Sequence, residues 1–257
     1  MIKTEQELKD KIAKCTHCLD IKFSGENGKR AIVVCGGTGC LSSHSDEIKN
    51  RLEELIKEHN LEDKVTVNQV GCFGFCSQGP FVKIFPEDTL YHMVKVEDCE
   101  EIIEKDIMGK EVIDHLLITD PHTHQKVAKQ DDLNFYKKQV RIALHGCGVI
   151  NPEDINEGLG YGAFQGLARA LKMDRQEVIN EILASGLRGR GGGGFPTGRK
   201  WQFAYNQDSE EKYVVCNGDE GDPGAFMDRS ILEGNPLEVI EGMMIAGYSI
   251  GAKNGYF

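Results

Sequence analysis

The chain has 257 residues, 40% of them hydrophobic, and a formal net charge of −11, a composition typical of one large or two modest soluble domains. The acidic balance argues against a nucleic-acid partner, because binding to a phosphate backbone needs a basic face. No apolar stretch reaches the roughly 18 uncharged residues that a membrane span requires.

The N-terminal segment, residues 1–27, has a charged amphipathic pattern that predicts a helix rather than a signal peptide. We therefore expect a cytoplasmic protein. The segment contains Cys15 and Cys18 in the sequence CTHC, which has the spacing of metal ligands. Because no second ligand pair remains to complete a site there, we predict surface thiols at a helix end.

Two further pairs of cysteines carry the strongest chemical signal. Nine cysteines in a chain without an export signal favour metal or redox chemistry over a disulfide framework. Cys35 and Cys40 form a C-x4-C motif, and Cys72 and Cys76 form a C-x3-C motif. Each pair follows an apolar run typical of a β-strand, and each is flanked by glycines.

The chain between the two pairs predicts a strand, a helix and a second strand. We expect the strands at residues 30–34 and 65–70, and residues 44–60 have apolar positions spaced as on one face of a helix. A connecting helix makes the two strands parallel, so both cysteine pairs lie at the same edge of the sheet. Four thiolates can then converge on one metal ion or cluster.

Thiolate ligands suit either zinc or an iron–sulfur cluster. Structural zinc sites favour knuckles from tight hairpins, whereas clusters favour backbone N–H groups that point at sulfur. The glycines at positions 36, 37, 39, 71 and 74 free the backbone for the second arrangement. From the residues alone a [2Fe–2S] cluster is favoured, and zinc or buried structural thiols are the alternatives.

The two motifs, separated by about thirty residues on a small α/β sheet, resemble those of the thioredoxin-like [2Fe–2S] ferredoxin domain over residues 28–108. That resemblance implies one [2Fe–2S] cluster. It also implies the four cluster ligands, which are Cys35, Cys40, Cys72 and Cys76.

The rest of this domain is predicted as a hairpin and a closing helix. Residues 80–86 and 89–96 form the hairpin around an acidic turn. Residues 96–109 form the helix, which turns its isoleucines inward and buries Cys99 as a small apolar residue.

Residues 109–138 are polar and are predicted as a linker or docking segment. His122 and His124 lie two residues apart in it and are expected to be solvated. Beyond it, residues 139–257 form a second domain.

The second domain contains a capped helix followed by a glycine-rich stretch. Asp174 and Glu177 form a predicted capping box, and Gly186 is the expected C-cap. The stretch GRGGGGFPTGRKW, residues 189–201, follows. It contains G-x-G-x-x-G, but a helix rather than a strand precedes it and no G-K-[ST] closes it, which excludes a Rossmann fingerprint and a Walker A loop.

Two features of this domain indicate a ligand site. The glycine stretch offers a flat backbone surface beside cations and aromatic rings, and a helix starting near Thr197 adds a favourable field for phosphate. A strand at residues 213–216 ends in the polar sequence NGDEGD, residues 217–222. Ligands of α/β sheets bind at the carboxyl ends of strands.

Together, the sequences SGLRGRGGGGFPTGRKW and VCNGDEGDPGAFMDRS closely resemble the FMN- and NADH-binding subunit of respiratory complex I and its soluble relatives. The fused N-terminal ferredoxin domain is most similar to the diaphorase subunit of multimeric NAD(P)-linked [FeFe] hydrogenases, including electron-bifurcating ones, or of related formate dehydrogenases. The implied fold class is α/β, a thioredoxin-like [2Fe–2S] domain followed by the N-terminal part of a complex I-type FMN-binding domain.

The resemblance also implies roles for individual residues. The flavin phosphate and ring would be cradled by Gly189, Arg190, Gly191, Gly192 and Lys200. The ribityl and isoalloxazine groups would be held by Asn217, Asp219 and Glu220. The dinucleotide rings would stack on Phe195 and Phe203. Asp222 stands where the respiratory enzyme carries Glu, which leaves the choice between NAD(H) and NADP(H) open.

The resemblance implies a two-to-one electron converter, in which NADH reduces FMN and single electrons pass to iron–sulfur clusters. The implied partners are a catalytic [FeFe] subunit, a small thioredoxin-like [2Fe–2S] subunit and a ferredoxin. We expect the chain to be part of a longer subunit whose remaining C-terminal part carries a [4Fe–4S] cluster. The alternatives are an electron-transfer or scaffold subunit of a formate dehydrogenase or complex I-like assembly without its own flavin activity, and a zinc-stabilised adaptor.

Overall fold

The computed structural model describes residues 4–257, the side chain of Glu5 excepted. Two compact units are present. The first, here called the cysteine unit, comprises residues 9–161 together with Glu233–Asn235. The second, here called the glycine-loop unit, comprises residues 162–232 and 236–257 together with the start of the chain.

The cysteine unit is built on a four-stranded sheet of order β2-β1-β3-β4. Its strands are β1 (Arg30–Cys35), β2 (Val65–Val70), β3 (Val82–Phe85) and β4 (Thr89–Tyr91). β1 and β2 are parallel, with Cys35 opposite Val70, whereas β3 pairs antiparallel with both β1 and β4. The two predicted parallel strands and the predicted hairpin are therefore observed.

Helices cover the sheet. They are α1 (Glu5–Ser24), α2 (Thr38–Leu41), α3 (Ser45–Glu58) and α4 (Cys99–Glu101), and α4 continues as a π-helix at Ile102–Met108. The apolar face predicted for α3 is buried, as are Ile102, Ile103 and Ile107. The closing helix thus lies where the sequence predicted it, but it is wound partly as π-helix, and Cys99 within it is fully buried.

One prediction for α1 is wrong. Cys15 is not a surface thiol at a helix end, because it lies within α1 and is buried. Its backbone packs so closely on Gly160 that a Cβ at that glycine would lie 2.7 Å from the Cys15 carbonyl group. The Thr16 hydroxyl also donates to the Gly160 carbonyl at 3.2 Å. Cys18 is exposed, as predicted.

Residues 109–138, predicted as a linker or docking segment, carry short elements and core residues. The elements are β5 (Ile118–Thr119), β6 (Lys126–Val127) and α5 (Asn134–Lys137). Ile113, Leu116 and Leu117 belong to the same buried cluster as the inward face of α3. His122 and His124 are exposed, as predicted. Further along, α6 (Ile155–Gly160) completes the cysteine unit.

The glycine-loop unit combines helices with a pair of parallel strands. Its elements are α7 (Gln165–Ala170), α8 (Arg175–Ser185), α9 (Thr197–Tyr205), β7 (Tyr213–Val215), α10 (Met227–Gly234), α11 (Pro236–Ile250) and β8 (Asn254–Tyr256). The predicted capping box between Asp174 and Glu177 is formed, and Gly186 is a left-handed C-cap with φ of 69°. None of the helices in residues 4–257 has the length and apolar content of a membrane span.

Candidate functional site

The four cysteines of the two motifs meet at one edge of the cysteine-unit sheet. Cys35 is the last residue of β1, and Cys40 lies in α2, directly beyond it. Cys72 follows β2, and Cys76 begins a short 3₁₀ turn. The parallel pairing of β1 and β2 is what brings the two motifs together, because both strands end at the same edge.

The thiols form a connected series. Cys35 is within hydrogen-bonding reach of both Cys40 and Cys72, and the Cys72 and Cys76 sulfurs are 3.6 Å apart. Over residues 4–257, no group of three or more His, Cys, Asp or Glu side chains has the geometry to hold a metal ion. Each of the four thiols nevertheless lies near at least one other.

Glycines leave room for the sulfurs. A Cβ at Gly37 would lie 2.9 Å from the Cys72 Cβ and 3.1 Å from its Sγ, and one at Gly79 would lie 2.5 Å from the Cys40 Sγ. Such distances are too short for real contacts, so any side chain at either position would displace a sulfur. The backbone therefore forms a cradle whose contents are the four thiols.

A backbone amide points at one of these sulfurs. Gly74 N–H donates to the Cys72 sulfur at 3.2 Å. An amide donor of this kind stabilises the negative charge of a thiolate cluster. The four thiols and this amide thus fit a [2Fe–2S] cluster.

The thiols do not all ionise on their own. The hydrogen bond with Cys40 raises the pKa of Cys35 to about 12, although the bond with Cys72 opposes that shift. The same bond from Cys35 lowers the pKa of Cys40. The hydrogen bond with Cys35, followed by burial, raises the pKa of Cys72, and burial raises that of Cys76. Four thiolates would therefore form only together with bound metal, which releases their protons.

The site has a buried side and an open side. Cys35 and Cys40 are buried, Cys72 is half-buried and Cys76 is exposed. A cluster held by these cysteines would therefore face solvent through the C-x3-C motif.

In the glycine-loop unit, the glycine-rich stretch is a closed loop between α8 and α9. Gly189 N–H donates to the Phe195 carbonyl and Thr197 N–H to the Leu187 carbonyl, both at 2.9 Å. The loop follows a helix, as the sequence predicted. A Cβ at Gly191, Gly192 or Gly193 would meet no atom within 4 Å, so this backbone surface is open.

Cations and aromatic rings surround the loop. Arg188 donates to the Gly194 carbonyl at 3.3 Å. Three further cations are exposed, and their side chains make no hydrogen bond or ion pair within the described part of the chain: Arg190, Arg199 and Lys200. The rings of Phe195 and Phe203 are 6.3 Å apart, and about half of each side chain is exposed. The loop thus presents unpaired positive charge and two accessible aromatic faces.

The polar loop after β7 is held by its own side chains. The Asn217 side-chain oxygen accepts from Asp219 N–H at 3.0 Å. The two carboxylate oxygens of Glu220 accept from Asp228 N–H and Arg229 N–H, both at 2.9 Å, and so cap α10. This capping role was missed in the sequence, because Glu220 lies seven residues before the helix begins.

The two stretches predicted to bind flavin make no direct hydrogen bond with each other. Within residues 4–257, no hydrogen bond or ion pair links residues 189–200 with residues 217–222. Asp222 is exposed, and its carbonyl accepts from Ala225 N–H at 3.0 Å. Both stretches belong to the glycine-loop unit.

Comparison with known proteins gives matches to both units. Residues 22–106 match the thioredoxin-like [2Fe–2S] ferredoxin family, and residues 182–257 match the Nuo51 FMN-binding domain. The chain is 53% identical over 119 residues to the NADP-reducing hydrogenase subunit HndC of Solidesulfovibrio fructosivorans, a match that covers 46% of this chain and 24% of that protein. It is 49% identical over 102 residues to an NADH-quinone oxidoreductase subunit of Aquifex aeolicus, covering 40% and 24% respectively.

Among solved structures, the thioredoxin-like [2Fe–2S] ferredoxin of Aquifex aeolicus is 29% identical, with a TM-score of 0.33, and the match covers 36% of this chain and 98% of that protein. The matches to the two curated relatives cover about a quarter of the length of each. The predicted fold class is confirmed by the two family matches: a thioredoxin-like [2Fe–2S] ferredoxin domain is followed by a Nuo51-type FMN-binding domain.

Proposed function

We propose that this chain is part of an NAD(P)H-oxidising flavoprotein subunit that passes electrons between NAD(H) or NADP(H), FMN and iron–sulfur clusters. The observation that carries the proposal is the convergence of four thiols and an amide donor in one unit of a chain whose other unit matches an FMN-binding domain. The ligands of the [2Fe–2S] cluster are Cys35, Cys40, Cys72 and Cys76.

The flavin is assigned to the glycine-loop unit. The residues that would hold the phosphate and ring, with the open backbone and cations of the glycine loop, are Gly189, Arg190, Gly191, Gly192 and Lys200. Asn217 and Asp219, in the loop after β7, would hold the ribityl and isoalloxazine groups, and Glu220 fixes that loop to α10. The accessible rings of Phe195 and Phe203 would stack on the dinucleotide, and Asp222 would contribute to dinucleotide choice.

The chain's own contribution is positioning and electrostatics. FMN held there would supply hydride acceptance and one-electron transfer, which is chemistry that no side chain supplies. The cations around the glycine loop hold an anionic phosphate in place, and the aromatic faces align flat rings against it. No side chain needs to act as an acid or a base, so we assign no catalytic residue.

The proposal extends to an assembly. Relatives that match part of this chain are named as subunits of a hydrogenase and of an NADH-quinone oxidoreductase. We propose a hydrogenase-like complex with a catalytic [FeFe] subunit, a small [2Fe–2S] subunit, a ferredoxin as electron partner and a [4Fe–4S] cluster. A cytoplasmic location suits the reduced thiols that cluster assembly needs.

The cluster half of the proposal is tested with one pair of variants. Wild-type chain, purified without oxygen, should contain about two irons and give an EPR signal after reduction with dithionite. Cys72→Ser should lose both, whereas Cys18→Ser, which changes an exposed cysteine outside the site, should keep them. Zinc in place of iron in the wild type would contradict the proposal, and so would an unchanged cluster in Cys72→Ser.

The flavin half is tested by fluorescence titration of the wild-type chain with FMN and riboflavin. FMN should bind more tightly, because only FMN carries the phosphate that the cations recognise. Gly191→Val should weaken FMN binding without unfolding the loop, since a Cβ at Gly191 meets no neighbour. Gly242→Ala, which changes an open helical glycine in α11, is the control. Absence of FMN binding by the wild type would favour the scaffold alternative.

A further inference from the structure

A short helix from residues 109–138 holds the loop between two of the proposed ligands. That loop, residues 72–76, has the sequence CFGFC. The hydroxyl of Tyr136, in α5, donates to the Phe73 carbonyl at 3.0 Å. The ring of Phe135 stacks on that of Phe75, with 4.4 Å between centroids and 13° between planes. Helix α5 therefore contacts the loop at two separate points.

The Phe73 carbonyl and the Gly74 N–H belong to the same peptide unit, and the N–H donates to the Cys72 sulfur at 3.2 Å. A trans peptide is planar, so its C=O and N–H point in opposite directions. Two hydrogen bonds through this one peptide unit thus link the Tyr136 hydroxyl to the Cys72 sulfur. A donor at the carbonyl polarises the peptide and strengthens the N–H as a donor.

Tyr136 is held in the orientation that this contact needs. Its side chain is buried, and its ring packs edge-on against Phe75 at 6.4 Å and against Phe135 at 5.0 Å between centroids. Burial raises the pKa of Tyr136, nearby Arg141 opposes that shift, and Cys72 adds to it. The hydroxyl therefore keeps its proton and acts as a donor to the carbonyl.

Asp120 fixes the start of α5. Its buried carboxylate accepts hydrogen bonds from the N–H groups of His122, Thr123 and Asn134 at 2.9 to 3.1 Å. It also accepts from the side-chain amide of Asn134 at 3.1 Å. Asn134 is the first residue of α5, so the β5–β6 hairpin and the helix that carries Tyr136 are joined at this carboxylate.

We propose that Tyr136 is a positioning residue for the cluster, which acts through the 73–74 peptide to strengthen the hydrogen bond to the Cys72 sulfur and thereby raises the reduction potential. This inference rests on the proposed function, because it needs a cluster on Cys72. Donors to a cluster sulfur favour the reduced state, which carries the greater negative charge. Residues 109–138 then contribute to the cluster's electronic properties as well as to the core.

The test compares two tyrosine variants of the cluster-loaded chain. Tyr136→Phe keeps the ring and removes only the donor. We expect unchanged iron content, a lower reduction potential in an EPR-monitored titration, and a shifted iron–thiolate stretch in the resonance Raman spectrum. Tyr161→Phe is the matched control, because that hydroxyl also donates to a backbone carbonyl, that of His145 at 3.1 Å. Its potential and spectrum should equal those of the wild type.

The outcomes separate this inference from the proposed function. A wild-type chain that takes up no iron contradicts the proposed function itself. A loaded Tyr136→Phe variant with the wild-type potential and Raman spectrum overturns only the role of Tyr136. If that variant does not retain iron, amide hydrogen exchange is compared in the iron-free chains. Faster exchange at Gly74 in Tyr136→Phe supports the inference, and equal exchange overturns it.

Discussion

The guanidinium of Arg30 lies 2.6 Å from the carboxylate of Asp106, and both side chains are buried. Arg30 also donates to the carbonyl of Ile107 at 3.0 Å, and Tyr91 donates to the same carboxylate. Arg30 begins β1, the strand that ends at Cys35. The ion pair therefore ties the first residue of that strand to the π-helix that covers the sheet.

Removing the Asp106 carboxylate should be strongly destabilising. Asp106→Ala would leave the buried Arg30 charge with only Glu87, a partly exposed carboxylate 2.8 Å away, and breaking a buried pair costs up to about 3–5 kcal/mol. The measurement is chemical denaturation followed by a probe in the cysteine unit. Lys105→Ala breaks the exposed pair with Glu101, which has the same 2.6 Å separation, and should change stability far less. If both variants lost the same amount of stability, burial could not be the reason that the Arg30 pair stabilises the fold.

Two neighbouring glycines should differ sharply in their effect on the thiols. A Cβ at Gly37 would lie 2.9 Å from the Cys72 Cβ, whereas one at Gly39 would lie 3.4 Å from the Cys76 Cβ, an ordinary contact. We therefore expect Gly37→Ala to lower iron content or distort the EPR signal, and Gly39→Ala to be close to wild type. The check is iron analysis with EPR on both variants. A cluster that tolerates both substitutions equally would contradict the cradle described above.

The stabilisation from Asp120 should be lost in acid. Burial alone would raise the pKa of this carboxyl, but the N–H donors of Asn134, His122 and Thr123 outweigh it and hold the pKa well below its usual range. Because the folded pKa lies below the unfolded value of about 3.9, Asp120 stabilises the fold above about pH 4 and loses this effect as pH falls toward the folded pKa.

Hydrogen exchange of the Asn134 amide measures this effect at its source. The Asn134 amide should be better protected from exchange in the wild type than in Asp120→Asn at neutral pH. This difference in protection should shrink below about pH 4. Asp114→Asn is the control, since Asp114 is exposed and pairs with Lys126 at the surface. A difference between wild type and Asp120→Asn that does not depend on pH would mean that the carboxylate charge is not responsible.

Of two adjacent residues in the glycine loop, Gly192 has a left-handed backbone conformation and Gly191 does not. Gly192 has φ of 92°, whereas Gly191 is outside the left-handed region, and a Cβ at either position meets no neighbour. Gly192→Ala should destabilise the loop by about 1 kcal/mol, and Gly191→Ala should have little effect. The readout is exchange of the Gly189 amide, which donates to the Phe195 carbonyl. Similar exchange in both variants would exclude backbone strain as a constraint on this loop.

Much of the fold was predictable because its signals are local. The apolar runs of β1 and β2, the amphipathic face of α3, and the capping box at Asp174 each lie within one short stretch of chain. The spacing of the cysteine motifs, together with the parallel strands, also predicted which thiols converge. Those predictions needed only periodicity and the rule that parallel strands end at the same edge.

Other features were not predictable, because they depend on contacts between distant residues. The backbone of the buried residue Cys15 packs against Gly160, which lies 145 positions further along the chain. The strands β5 and β6 have two residues each, too few to give an alternating pattern. Helix α5 has four residues and depends on the carboxylate of Asp120. Isolated helices of this length are unstable in water, so only tertiary contacts produce it.

By itself, the sequence determined which chemical groups this protein brings together: two cysteine pairs that follow parallel strands, and a glycine-rich stretch beside cations and aromatic residues. Only the tertiary structure decided what surrounds those groups. Tyr136 donates from its hydroxyl to the Phe73 carbonyl, next to Cys72, and the Glu220 carboxylate caps α10. The physical reason is that ligand type and strand order are encoded in short patterns, whereas a hydrogen bond between distant residues exists only after the chain has packed.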